Sequence, residues 1–112
     1  DDRLSIESTG PPAALPNWQA EEALTILLEA LTNRSKHAPD STTSVRFAWS
    51  PAAAVVTVAD DGPGFDVQGD AGGRLGQQTM RERAAVIGAR LAVESSPGTG
   101  TTVRLTIPRG AL

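Results

Sequence analysis

Ala54-Val55-Val56-Thr57-Val58-Ala59-Asp60-Asp61-Gly62-Pro63-Gly64-Phe65 is the stretch on which the fold turns. Its first six residues are apolar and rich in β-branched side chains, which fit a pleated, half-buried surface. Ala54 to Ala59 therefore reads as a buried strand, with Asp60 emerging at its end. An ionised carboxylate can only accept hydrogen bonds, and at a strand end it suits an exocyclic amine such as adenine carries. Gly62 and Gly64 have no side chains and would let the backbone lie close against a base and ribose. Taken alone, the arrangement is also what many turns between a strand and a helix contain, and the turn is its default reading.

Upstream, Gln19 to Ala38 has the period of one long helix, about 100° of rotation per residue. Ala23, Leu24, Leu27, Leu28, Leu31 and Ala38 then form one broad apolar stripe, expected to be core. Glu22, Glu29, Asn33, Lys36 and His37 gather on the opposite side. A polar stripe opposite an apolar one is what every surface helix shows. The order here is less ordinary: Glu29, then Asn33 one turn on, then Lys36-His37 after almost another turn. Such a ladder could hold a water, a divalent metal and a polyphosphate in that sequence. Mg²⁺ takes hard oxygen ligands and prefers substrate phosphates plus few protein groups.

Outward from these two elements the pattern is compact. Arg3 to Glu7 alternates Leu4 and Ile6 with polar residues as a short strand does, and Thr9 to Pro12 reads as a connector. Pro39-Asp40-Ser41 closes the long helix, since proline cannot continue its hydrogen-bond ladder. Val45, Phe47 and Trp49 alternate with Arg46 and Ala48, and Ser50-Pro51 turns that strand into the apolar one as a hairpin. Asp66 to Gly76 holds four glycines and few apolar residues, which predicts a mobile loop placed as a lid. A second helix is expected from about Gln78 to Ile87, ended by Gly88. Leu91 and Val93, then Val103, Leu105 and Ile107, alternate on either side of a turn at Pro97-Gly98-Thr99-Gly100. Together these elements predict a two-layer α/β sandwich: two helices over one face of a mixed five-stranded sheet, with a cleft between helix and sheet.

Composition bounds the function. A chain of 112 residues can bury one core, so residues 1–112 are expected to form a single domain, and 39% hydrophobic content with a net charge of −3 is ordinary for a soluble protein. Basic residues are dispersed and the balance is acidic, which argues against nucleic acid as a partner. No window is long and apolar enough for a membrane span, and no signal-peptide pattern opens the chain. No membrane contact by this domain is expected. Without Cys there are no disulfides and no cysteine-ligated metal, which fits a cytoplasmic location even where the parent protein is membrane-anchored. The chain opens on Asp1 and its only methionine is Met80, so it reads as a piece excised from a longer one.

Four ordered motifs carry a family resemblance over nearly the whole chain. Glu29-Ala30-Leu31-Thr32-Asn33-Arg34-Ser35-Lys36-His37-Ala38 resembles the N-box of sensor histidine kinases, in the subfamily paired with response regulators that carry a helix-turn-helix output domain. Asp60-Asp61-Gly62-Pro63-Gly64 is similar to the first glycine box. Gly72-Gly73-Arg74-Leu75-Gly76 with Met80-Arg81-Glu82-Arg83-Ala84 is similar to the second box and lid, and Ser96-Pro97-Gly98-Thr99-Gly100-Thr101 to the third. Gly10 and Leu15-Pro16, ahead of the long helix, resemble the subfamily's opening. The lid departs from the subfamily's Gly-x-Gly-Leu. Aligned back from Met80, Arg74 and Gln77 stand at the first glycine and the leucine, and only Gly76 is kept.

The resemblance implies a Bergerat-type ATP-binding fold and a catalytic domain that binds ATP with Mg²⁺. Such a domain delivers the γ-phosphoryl to a histidine on an upstream dimerisation domain, from which an aspartate of a cognate response regulator receives it. It implies adenine recognition by Asp60 with Gly62 and Gly64, a polarising or water-orienting role for Glu29, and Mg²⁺ binding through the Asn33 amide oxygen. Lys36, His37, Arg74, Gly76 and Thr101 fall among its nucleotide-binding positions. His37 belongs to the nucleotide-binding helix and is not the phosphorylated histidine.

Two other readings stay open: an anti-sigma-type serine kinase of the same superfamily, and a non-catalytic nucleotide-binding module left by an altered lid. An EF-hand across Asp60 to Asp70 fails, because Gly62 and Gly64 would stand where oxygen ligands are needed. A Walker phosphate loop fails for want of Gly-Lys-Ser or Gly-Lys-Thr after a strand.

Overall fold

β1 (Leu4–Thr9) and β2 (Thr43–Trp49) lie side by side and parallel, an arrangement reached only through a crossover, which α1 (Asn17–His37) supplies. The computed structural model describes residues 3–10, 15–37, 40–64 and 71–109, with residues 33–37 and 71–76 described by their backbone alone. β2 turns tightly into β3 (Ala53–Asp60). The Ser50 amide donates to the Ala53 carbonyl at 3.0 Å, and the Ser50 hydroxyl accepts the Ala53 N–H at 3.2 Å. α2 (Ala71–Val86) follows, and β4 (Arg90–Ser95) and β5 (Thr101–Pro108) close the chain as a second hairpin. The sheet order is β1-β2-β3-β5-β4, antiparallel except for the first pair, so the expected mixed five-stranded sheet is present.

Register carries one set of side chains toward the helices. Val45, Val58, Val103 and Val93 form one cross-strand row, and Phe47, Val56, Leu105 and Leu91 the next. These rows meet Ile26 and Ala30 of α1 and Met80, Ala84 and Ile87 of α2 in one core. On the opposite face lie Arg46, Thr57, Thr102 and Arg104, where Arg46 pairs with Glu7 at 3.6 Å and Arg104 with Glu94 at 3.3 Å. Such exposed pairs contribute at most about 1 kcal/mol each.

Two features differ from the sequence reading. On α1 the buried face centres on Ile26 and Ala30, while Leu24 and Leu28, expected in the core stripe, are each 54% exposed. The helix packs against α2 as well as the sheet, and its rotation is set by both contacts. A hydrogen bond from Gln19 Nε2 to the Ile87 carbonyl (3.2 Å) and an ion pair between Glu22 and Arg83 (2.8 Å) tie the helices together. Glu22 and Glu29, both half-buried, therefore border the buried face rather than oppose it. Beside Leu24, between α1 and the sheet, lies an apolar groove of about 200 Å³ lined by Leu15, Leu27, Phe47, Trp49 and Val56 among others.

The second difference concerns the expected loop. Residues 71–76 are helical and belong to α2, which begins at Ala71 rather than Gln78, while residues 66–70 lie outside those described. Each glycine in a helix costs about 1 kcal/mol relative to alanine, but an existing helix gains one hydrogen bond for every residue added. Ala71, Arg74, Leu75 and Gln77 are good formers. The other end agrees with expectation. Gly88, at φ +70°, lets its own N–H bond the Ala85 carbonyl and the Ala89 N–H bond the Ala84 carbonyl, a Schellman termination.

Candidate functional site

Where β3 ends, the apolar rows give way to a polar one. Thr43, Asp60, Thr101 and Ser95 stand next to one another across β2, β3, β5 and β4, on the face the helices cover. Asp60 is half-buried, and its Oδ1 accepts the Gly62 N–H at 2.9 Å, so the carboxylate is held by the turn that follows it while Oδ2 is left to another donor. Thr101 Oγ1 and Ser95 Oγ are 2.8 Å apart, and Ser95 Oγ donates to the Gly100 carbonyl at 2.9 Å. Asp61 is exposed, as expected for a solvated acid, but its Oδ1 also accepts the Thr42 N–H at 2.7 Å and clamps the ends of β2 and β3 together.

The two glycine turns around this row form a single unit. The Gly98 N–H donates to the Pro63 carbonyl at 2.6 Å. A Cβ on Gly64, at φ +67°, would collide with the Ser96 carbonyl, and one on Gly100, at φ +80°, with the Asp60 carbonyl. Gly64 thus has a packing requirement of its own, apart from any approach to a base.

The other candidate positions are distributed over both helices. Glu29 lies half-buried on α1, and Asn33, Lys36 and His37 occupy the last two turns of its backbone. Arg74 and Gly76 sit in the first turns of α2, and the side chains of positions 33, 36, 37, 74 and 76 are outside the described residues. Further along the lid motif, Arg81 Nη1 donates to the Leu91 carbonyl at 3.0 Å, anchoring α2 to β4. No group of three His, Cys, Asp or Glu side chains among the described residues could hold a metal. An ion taking one amide oxygen from α1 and the rest from phosphates and water is compatible with that donor set.

Two residues at this end of the molecule were absent from the candidate set. Gln77 continues the Met80, Ala84, Ile87 stripe of α2 and is only 7% exposed, and its Nε2 has no hydrogen-bond partner among the described residues. Thr43 is buried completely, and its Oγ1 is likewise unpartnered. The alternation of Val45, Phe47 and Trp49, read two residues earlier, marks position 43 as inward-facing.

Residues 19–111 match the family described as histidine kinase-, DNA gyrase B-, and HSP90-like ATPases. The chain belongs to that ATPase family. ATP is therefore the ligand of this domain. The chain is 38% identical over 84 residues to sensor histidine kinase YhcY of Bacillus subtilis, an alignment spanning 74% of this chain and 22% of that protein. It is 32% identical over 83 residues, again 74% and 22% of the two lengths, to the signal transduction histidine-protein kinase/phosphatase DegS of Brevibacillus brevis. The histidine kinase domain of a blue-light activated histidine kinase from Erythrobacter litoralis superposes with a TM-score of 0.72 at 27% identity, covering 96% of this chain and 56% of that one. This ATPase-family domain therefore spans about a fifth of the curated relatives it matches, all three proteins are histidine kinases by name, and none lends support to the serine-kinase reading.

Proposed function

We propose that residues 1–112 form one domain, the catalytic ATP-binding unit of a sensor histidine kinase that acts in the cytoplasm. The γ-phosphoryl of the bound ATP goes to a histidine on a separate dimerisation domain, leaving ADP, and from there to an aspartate of a response regulator. The observation that carries the reading is Asp60, half-buried at the strand end, held through Oδ1 by Gly62 N–H and flanked by Thr101. An acceptor in that place selects a purine amine, with Gly62, Gly64 and Thr101 around the base. Lys36, His37, Arg74 and Gly76, on the last turns of α1 and the first turns of α2, serve the phosphates, and Asn33 supplies an oxygen to Mg²⁺. Mg²⁺, when bound, neutralises charge developing on the transferring group. Glu29 polarises the attacking group or orients a water next to it. Positioning and charge neutralisation do most of the work in such a transfer. No helix among the described residues is long and apolar enough to cross a membrane.

Calorimetric titration of Mg·ATP into wild-type and folded Asp60→Asn protein tests the reading. Binding should be lost in the variant, because the amide presents donors where the amine needs an acceptor. Equal affinity in the two proteins would remove the purine assignment.

A further inference from the structure

Thr43 has 0% exposure, yet its Oγ1 has no hydrogen-bond partner among the described residues, an arrangement native proteins rarely leave standing. The rest of its strand on the same face is Val45, Phe47 and Trp49, so valine, the same shape without a hydroxyl, is what core packing alone would place there. The Asp61 N–H bonds the Thr42 carbonyl at 3.2 Å, which makes Thr43 and Asp60 a non-hydrogen-bonded antiparallel pair. In such pairs the Cα atoms are about 4.5 Å apart and the side chains stand closer than in the alternate pairs. On the far side of Asp60 the row satisfies itself, Thr101 bonding Ser95 at 2.8 Å. On the near side, an orphan hydroxyl faces a carboxylate of which only Oδ1 is engaged, by Gly62.

We propose that Thr43 is the positioning residue for Asp60, its hydroxyl donating through one buried water to Oδ2 and fixing the carboxylate in the plane that accepts from the exocyclic amine of a purine. The inference rests on the adenine role of Asp60 proposed above. The water would have Thr43 Oγ1, Asp60 Oδ2 and the exocyclic amine of the bound base as partners, the two to four polar contacts that hold a buried water in place. Thr43 does not itself touch the nucleotide in this arrangement. It sets the direction in which Asp60 presents its lone pairs.

The test compares affinities for Mg·ATP and for the triphosphate of purine riboside, which lacks the amine, in wild type, Thr43→Val, Thr43→Ser and Asp60→Asn. Thr43→Val should lose about tenfold in ATP affinity, the size of one net hydrogen bond, with the amine-free analogue unaffected, and Thr43→Ser should restore the preference. Thr43→Ala removes the same hydroxyl with less bulk and must give the same loss of preference. An unchanged ratio of ATP to analogue in Thr43→Val, whether both affinities hold or both fall together, overturns the proposal and leaves Thr43 a packing residue. Asp60→Asn separates the two readings. If it abolishes the preference while Thr43→Val keeps it, only the Thr43 inference falls, and if it keeps the preference, the adenine role itself fails.

Discussion

Gly100 lies against the carbonyl oxygen of Asp60 in a left-handed conformation, φ +80°, that leaves no room for a side chain. The last residue of β3 and the turn before β5 are thereby locked together at the point where the carboxylate is presented. Gly98, two residues earlier, is also left-handed at φ +84°, but a Cβ there would meet nothing within 4 Å. Gly98→Ala should cost about 1 to 2 kcal/mol, the penalty of positive φ for an L-residue. Gly100→Ala adds a backbone collision and should cost about 3 kcal/mol or more, together with loss of ATP binding. Urea denaturation of the two variants measures both, and equal destabilisation would contradict the locking role.

Asn33→Ala should bind ATP with some of its adenine affinity intact but without the strengthening that Mg²⁺ confers on the wild type, because the amide oxygen is the ligand proposed for the ion. Titrations with and without Mg²⁺ decide it. A wild type indifferent to Mg²⁺ would refute the metal role.

The first turns of α2 carry Gly72, Gly73 and Gly76, each weakening the helix by about 1 kcal/mol, while the turns from Met80 to Ile87 are anchored in the core. Amides 71–76 should therefore exchange hydrogen much faster than those of Met80, Ala84 and Ile87 in the free protein, and gain protection with an ATP analogue. Protection of 71–76 equal to that of the anchored turns before nucleotide is added would oppose a lid at this position.

The chain alone should bind ATP without forming a stable phosphohistidine. His37, its sole histidine, is on the last turn of α1, and transfer needs the acceptor nitrogen in line with the γ-phosphorus. Supplying the proposed dimerisation domain in trans should give weak labelling of that domain. In that assay Glu29→Gln should keep nucleotide affinity and slow the transfer, since it retains the shape and loses the charge. Acid-labile phosphate on His37, or full transfer by Glu29→Gln, would count against the division of roles.

Local pattern alone determined a good deal. The period-two runs of Val45 to Trp49, Leu91 to Val93 and Val103 to Ile107, and the turn residues between them, specify strands and hairpins because side-chain alternation and backbone turn chemistry are properties of a few consecutive residues. Gly88 marks the end of α2 for the same reason, and the order of the four motifs pointed to the ATPase family that residues 19–111 match. Tertiary contacts decided the rest. Which arc of α1 is buried depends on α2 as well as the sheet, so Ile26 and Ala30 are inside and Leu24 and Leu28 overhang, although all four are apolar residues of the same two turns. The start of α2 at Ala71 reflects extension from a packed helix, which glycine content by itself does not reveal. Thr43 acquires its meaning only through strand register, which places it beside Asp60, a residue 17 positions further along the chain. Register is a long-range pairing, and no local period encodes which residue stands next to a carboxylate.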